Sequence, residues 1–195
     1  MISQSIFGGN SGGFLVTEAC RYIEELGWWL VPVAGHGANA KKPLYRGWPD
    51  YRPDAETIKS ILTLNGDAGI GLNLGGSGLL DLEADSPEAE EFLDDLCKDI
   101  ECPSWQSRRG KHRLFQANGC RHLDITAMKI EFRSGRHQSV LPPSVFGETE
   151  YRWIVDPFDC PPPPLPDKLL DFYKEQEHKP GNKRDRPRSP VKNSR

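Results

Sequence analysis

No apolar run in the sequence comes near the roughly 20 residues that span a bilayer. The longest obvious one, Trp28 to Ala34 ("WWLVPVA"), has the length of a buried strand. The first residues, "MISQSIFGGNSGG", lack a basic stretch followed by an apolar one, so no secretory leader is expected there. Cysteine is sparse and odd in number, five in 195 residues, with no tight framework. This points to a reducing, cytoplasmic setting rather than a disulfide scaffold. Internal repeats are absent. The charge balance is also unassertive: a net of −3 does not by itself advertise a polyanion binder.

The distribution of charge says more than its sum. From Lys174 to Arg195 there are eight Lys/Arg against three Asp/Glu, a net of +5, which leaves −8 for the rest. An acidic body that binds a polyanion needs local basic patches or metal ions. What the chain does have in quantity is Gly (19) and Pro (17), the mark of a loop-rich build, and enough length for a substantial core.

Helical and strand-like segments are mixed along the chain. A stripe at Phe14, Leu15, Ala19, Tyr22, Ile23 and Leu26 predicts a helix stopped by Gly27. Asp54 is placed to cap a second helix, and Ser86-Pro87 to open a third that runs to about Lys98. "AGIGLNL" and "GLLDLE", separated by Gly75-Gly76-Ser77-Gly78, read as strands that a hairpin or meander would pair. "KHRLFQA", "AMKIEFRS", "QSVLPP" and "YRWIVD" supply further strands. A proline run at 161–164 precedes a last helix, "DKLLDFYKEQ". This order fits an α+β domain rather than a doubly wound sheet. Residues 1–13 read as a flexible lead-in, 14–177 as the folded domain, and 178–195 as a basic, disordered tail or linker.

Three stretches carry candidate chemistry. The strand "GLLDLE" ends in Asp81 and Glu83, which alternation puts on one face, about 7 Å apart, with Leu82 turned to the core. Such a pair either holds divalent cations or is a solvent-facing strand edge. Glu131, between inward-facing Ile130 and Phe132, is a third strand carboxylate, with Arg133 on its own face. It joins the metal ligands or makes a plain ion pair with Arg133. "RRGKHRLF" places His112 between Lys111 and Arg113. The cluster suits a triphosphate, with Gly110 allowing close backbone approach, or is a basic solvated edge. Lys41 and Lys42 form another basic loop near Trp48.

Other sites fit less well. Cys97, Cys102, Cys120 and His122 have no familiar zinc spacing. After Gly69 and Gly71 the third position of a dinucleotide fingerprint is Leu74. A His-x-His pair of the rolling-circle nuclease kind is absent.

Taken together, "GWWLVPV" with "KKPLYRGW", "AGIGLNLGGSGLLDLEAD", "GKHRLF" and "IEFRSGRHQSVLPPS" resemble the N-terminal domain of bifunctional DNA primase–polymerases (prim-pol), in the archaeo-eukaryotic primase superfamily. The resemblance covers about Phe14 to Asp156. It implies an α+β fold, an RRM-like catalytic sheet joined to a small α/β module, with the active site in the cleft between them. It implies Asp81, Glu83 and Glu131 as catalytic ligands of two Mg²⁺ or Mn²⁺ ions. His112 would bind nucleotide phosphate, with Lys111, Arg113, Arg133 and Lys42 as further nucleotide-binding residues. The implied activity is template-directed nucleotidyl transfer from dNTPs or NTPs on single-stranded DNA in replication, with a helicase in cis or trans, often on a mobile element. The chain departs from the family pattern at Glu131, where Asp is common, and in having fewer glycines in "RRGKHRLF" and "RSGRHQ". A member that has lost chemistry but still binds DNA or nucleotide is the alternative. A metal-dependent nuclease would use similar acids without needing the histidine.

Overall fold

A computed structural model gives the fold and describes residues 11–184. The first helix, α1 (Ser11–Glu24), begins three residues before the apolar stripe predicts. It is followed by β1 (Leu30–Val33), α2 (Ala55–Leu64) and β2 (Gly69–Asn73). A single helical turn, α3 (Leu74–Ser77), leads into β3 (Leu79–Ala84), α4 (Pro87–Cys97), β4 (Ser104–Gln106) and β5 (Lys111–Gln116). Next come β6 (Leu123–Ile125), β7 (Ile130–Arg133), β8 (Gln138–Val140), β9 (Val145–Phe146), β10 (Thr149–Glu150) and β11 (Arg152–Val155). The described chain closes with α5 (Asp167–Glu177) and β12 (Lys183–Arg184).

The predicted caps form. Asp54 accepts a hydrogen bond from the Thr57 amide at 2.8 Å, and the Ser86 hydroxyl accepts from the Ala89 amide. Pro87 occupies the first turn of α4, where its missing N–H costs nothing.

Two sheets result. The larger has seven antiparallel strands in the order β11-β4-β5-β3-β7-β6-β12, and the smaller has three, β1-β2-β8. The fold is therefore α+β, built on a large antiparallel sheet with a small α/β module, as expected. The expected pairing of "AGIGLNL" with "GLLDLE" does not occur: β2 joins β1 and β8, while β3 joins β5 and β7. The cause is α3. Asn73 Oδ1 accepts from the Gly76 amide at 3.0 Å and winds the chain into a helical turn. Gly78, at φ +68°, then releases it in the left-handed conformation that glycine adopts cheaply. The two strands thus leave for different sheets.

Each sheet buries one core. Leu80, Leu82 and Ala84 of β3 point with Phe115 and Phe132 to a layer covered by α4 and α5, around Leu93, Leu169 and Tyr173. The opposite face of the large sheet turns Leu114 and Trp105 toward the small module, whose core includes Tyr22, Ile58, Ile70 and Leu72. Alternation along β3 places Asp81 and Glu83 on this second face, between the two sheets.

The expected flexible lead-in and basic tail fall outside the described residues at 1–10 and 185–195. Residues 178–184 do not form the expected loose tail. Lys183 and Arg184 pair with Asp124 and Leu123 as an added edge strand.

Candidate active site

β3 is the central strand of the large sheet, not an edge, and this decides the environment of its carboxylates. Glu83 faces His112 across β5 and Glu131 across β7, while Asp81 faces Leu114 and Arg133. Asp81 is fully buried and Glu83 nearly so, at 2 % exposure. The reading of the pair as a solvent-facing edge is excluded by these positions.

Such burial requires compensating charge. His112 Nδ1 lies 2.8 Å from Asp81 Oδ2 and its Nε2 lies 3.6 Å from Glu83 Oε1. The Ser139 hydroxyl, from the small sheet, donates to the same Asp81 oxygen. Arg133 Nη2 lies 2.7 Å from both Glu83 Oε2 and Glu131 Oε2, and Arg133 Nε donates to Glu131 Oε1 at 3.2 Å. Arg109 reaches in from a loop, 3.7 Å from Glu83 and 3.4 Å from Asp85. The plain Glu131–Arg133 pair expected from sequence is thus one arm of a bridge that also holds Glu83.

The same contacts pull the protonation of the acids apart. Burial pushes the Asp81 carboxyl up, but His112, Arg133 and the Ser139 hydroxyl outweigh it and hold Asp81 below the usual carboxylate range. Glu83 goes the other way: burial, helped by the charges of Asp81 and Asp85, raises it against the pull of His112 and Arg133. For His112, burial favours the neutral ring, yet the charge and hydrogen bond of Asp81 win and raise its pKa. The imidazolium also stacks on Trp105, with ring centroids 4.6 Å apart and planes 6° from parallel. Glu131 is lowered: burial opposes this, and Arg133 with a smaller push from His122 overcomes it.

The cluster opens into a cleft of about 310 Å³ between the sheets. Glu83, His112 and Arg133 line it, as do Lys41, Arg108, Arg109, Gln138 and Tyr151. Lys41 is held there by a 2.7 Å bond to the Tyr151 hydroxyl. Lys41, Arg108, Arg109 and Arg133, with the cationic His112, surround one carboxylate and give the cleft a positive wall suited to an anion.

The nucleotide-binding residues expected from sequence separate here. His112 and Arg133 lie in the cleft. Lys111 and Arg113, one residue to either side of His112 on β5, point to the reverse face of the sheet. There Arg113 is 2.5 Å from Glu90 and 2.6 Å from Asp94 of α4, and Lys111 is 3.3 Å from Asp94. Lys42 lines a separate pocket beside Trp48 and Arg136, and its neighbour Lys41 takes the place in the cleft. Lys41 has φ +67°, and this turn of the backbone sends the two lysines apart. Arg109, Ser139, Gln138 and Tyr151 were not singled out as site residues by the sequence. Tyr151 carried no signal; Arg109 stood in the basic cluster "RRGKHRLF", and Ser139 and Gln138 just before Pro142-Pro143.

A family model matches residues 19–168, that of the bifunctional DNA primase/polymerase N-terminal domain. The chain belongs to this prim-pol family. No curated protein matches the chain. Membership in a primase/polymerase family agrees with a cleft that combines buried acids and an anion-binding wall.

Prim-pol chemistry implies a divalent metal, and the residues present fit one. Asp81 and Glu83 offer carboxylate oxygens within 4.8 Å of each other. Asp81 Oδ1 is buried with no hydrogen-bond partner, an acceptor that a cation would satisfy. Glu131 sits in a second such group with His122 and His137. Among the described residues no helix is long and apolar enough to cross a membrane.

Proposed function

We propose that this prim-pol domain is a template-directed nucleotidyltransferase that makes or extends primers on single-stranded DNA from nucleoside triphosphates. One observation carries the proposal: the buried acids Asp81 and Glu83 lie at the foot of a cleft walled by Lys41, Arg108, Arg109 and Arg133. Buried acids of this kind suit cation binding, and the cationic wall suits a polyphosphate.

In this reading Asp81, Glu83 and Glu131 hold Mg²⁺ or Mn²⁺. The ions, when bound, lower the pKa of the attacking 3′-hydroxyl and stabilise the charge that develops on the transferred α-phosphate. The chain's own residues do the rest. Lys41 and Arg109 neutralise the triphosphate and orient it, so that the primer hydroxyl meets the α-phosphorus opposite the departing pyrophosphate. Arg133 lies between Glu83 and Glu131 and, with those acids holding cations, would be free to contact phosphate. His112, kept cationic by Asp81, adds a fixed positive charge next to the reacting group. Ser139 and Trp105 hold the imidazole–carboxylate pair in place. A helicase working in cis or trans would supply the single-stranded template.

One observation favours a second reading, a module that binds nucleotide without chemistry. Arg133 already neutralises both Glu83 and Glu131. If it cannot leave, the acids are not available to metal.

Incorporation of labelled dNTPs and NTPs on a single-stranded template separates the two, with Mg²⁺ or Mn²⁺ and with or without a primer. Template-dependent product that disappears in Asp81→Asn/Glu83→Gln is the expected result. Nucleotide binding without product under every metal and primer condition would establish the second reading instead.

A further inference from the structure

We propose that His122, Glu131 and His137 form a binding site for a first-row transition ion of the zinc class, adjoining the acid cluster of Asp81 and Glu83. The three side chains offer two imidazole nitrogens and a carboxylate oxygen within 4.8 Å of one another. His122 Nδ1 is 3.6 Å from Glu131 Oε1, and the His122 and His137 rings stack face to face with centroids 3.9 Å apart. Two histidines and one carboxylate, with remaining positions left to water, make a common donor set for zinc and its neighbours.

The donors come from three separate elements that the fold ties together. Glu131 is on β7, in register with Asp124 of β6, and His122 directly precedes β6. His137 directly precedes β8, and its carbonyl accepts from the Leu74 amide at 3.1 Å. The buried Ser134 hydroxyl donates to the Cys120 carbonyl at 2.9 Å and joins the loop of His137 to that of His122. Both histidines are thus carried on backbone that is already fixed, which lowers the ordering cost of binding. Ligands about 2.0 Å from a tetrahedral ion stand about 3.3 Å apart. The donor atoms, within 4.8 Å of one another here, must draw together by up to about 1.5 Å to reach that value.

Donor chemistry sets this site apart from the neighbouring acids. Imidazole favours zinc, cobalt and nickel, whereas carboxylate and water favour magnesium. Arg133 ties Glu131 to Glu83, so an ion held by the histidines draws Glu131 away from Arg133. That consequence for the acid cluster rests on the polymerase reading. The ion site itself does not, and its test reads binding rather than synthesis.

The experiment uses the full chain, stripped with EDTA and titrated with Co²⁺ while visible absorption is followed. A band typical of nitrogen and oxygen ligation, displaced by Zn²⁺ and not by millimolar Mg²⁺, is expected. His122→Gln and His137→Gln should each weaken Co²⁺ binding about tenfold or more, while His178→Gln, remote from both acid clusters, leaves it unchanged. Ring-nitrogen NMR of the unmutated protein guards against variants that fail to fold. Zn²⁺ should shift His122 and His137 and leave His36 and His178 where they are. The proposal is overturned if Asp81→Asn abolishes the cobalt signal while both histidine variants keep it. It is equally overturned if Zn²⁺ leaves the two ring resonances unmoved.

Discussion

His112 and Asp81 form a buried pair, imidazole nitrogen to carboxylate oxygen at 2.8 Å, across adjacent central strands of the large sheet. Asp81 is itself held by Ser139 from the small sheet, so the pair joins the two halves of the fold. It gives the site a preset charge distribution, with Asp81 ionised and His112 cationic. A pair this deeply buried is strongly coupled. A double-mutant cycle of Asp81→Asn and His112→Gln, read by urea denaturation in EDTA, should show a favourable coupling of about 0.5–3 kcal/mol. Additive effects of the two substitutions would mean that the contact contributes nothing to folding.

The pair also sets a pH dependence. The His112 pKa is raised in the folded protein, so its stabilisation is complete below the unfolded value of about 6.5. It is lost as pH rises through the folded value. Asp81 is depressed, so its share is present above about 3.9 and is lost as pH falls through its folded value. Without divalent metal, the unmutated protein should therefore lose stability from neutral pH upward relative to His112→Gln. Urea midpoints at pH 6, 7.5 and 9 measure the difference. Parallel curves for the two proteins would contradict the assignment of a cationic His112.

The cleft and the reverse face of β5 predict opposite consequences for two arginines. Arg113 is buried with Glu90 and Asp94 behind the sheet, so Arg113→Met should cost about 1–3 kcal/mol of stability. It should change nucleotide affinity less than twofold. Arg109 is exposed in the cleft beside Glu83, so Arg109→Ala should weaken nucleotide binding severalfold with no measurable loss of stability. Fluorescent nucleotide titrations beside thermal melts read both quantities. The reverse pattern would place the polyphosphate on the other face of the sheet.

The sequence made the acids legible and left their surroundings obscure, for identifiable reasons. A two-residue period is enough to put Asp81 and Glu83 on one face. It says nothing of whether that face meets water, because burial depends on β3 becoming the central strand beneath a second sheet. The same period, applied to β5, separates His112 from Lys111 and Arg113, although a cluster of adjacent cations invites the opposite conclusion. The hairpin expected between "AGIGLNL" and "GLLDLE" failed through a local signal, Asn73 capping a single helical turn. Lys41 and Lys42 were not separable by pattern, since a positive φ at Lys41 decides which one enters the cleft. Ser139, Gln138 and Tyr151 reach the site through tertiary packing, which no local spacing encodes.

Gly110 offers the last test, because its role differs from the one its neighbours suggest. Between Arg109 and Lys111 it reads as space for a phosphate. In the fold that space is occupied by β3: a Cβ at Gly110 would lie 2.0 Å from the Ala84 carbonyl oxygen. Backbone on both sides leaves little room to yield. The Gly110 carbonyl also accepts from the Ser107 amide at 2.9 Å and the Ser107 hydroxyl at 3.0 Å, closing the tight turn that carries Arg108 and Arg109. Gly110→Ala should therefore push β5 and this turn away from β3, at a cost of about 1–3 kcal/mol. The displaced Arg109 should weaken nucleotide binding at the same time. Gly66→Ala is the control, since a Cβ there meets nothing within 4 Å. Its stability should stay within about 0.5 kcal/mol of the unmutated protein. Loss of nucleotide binding in Gly110→Ala with stability intact would instead show that the glycine makes room for the ligand rather than for the strand.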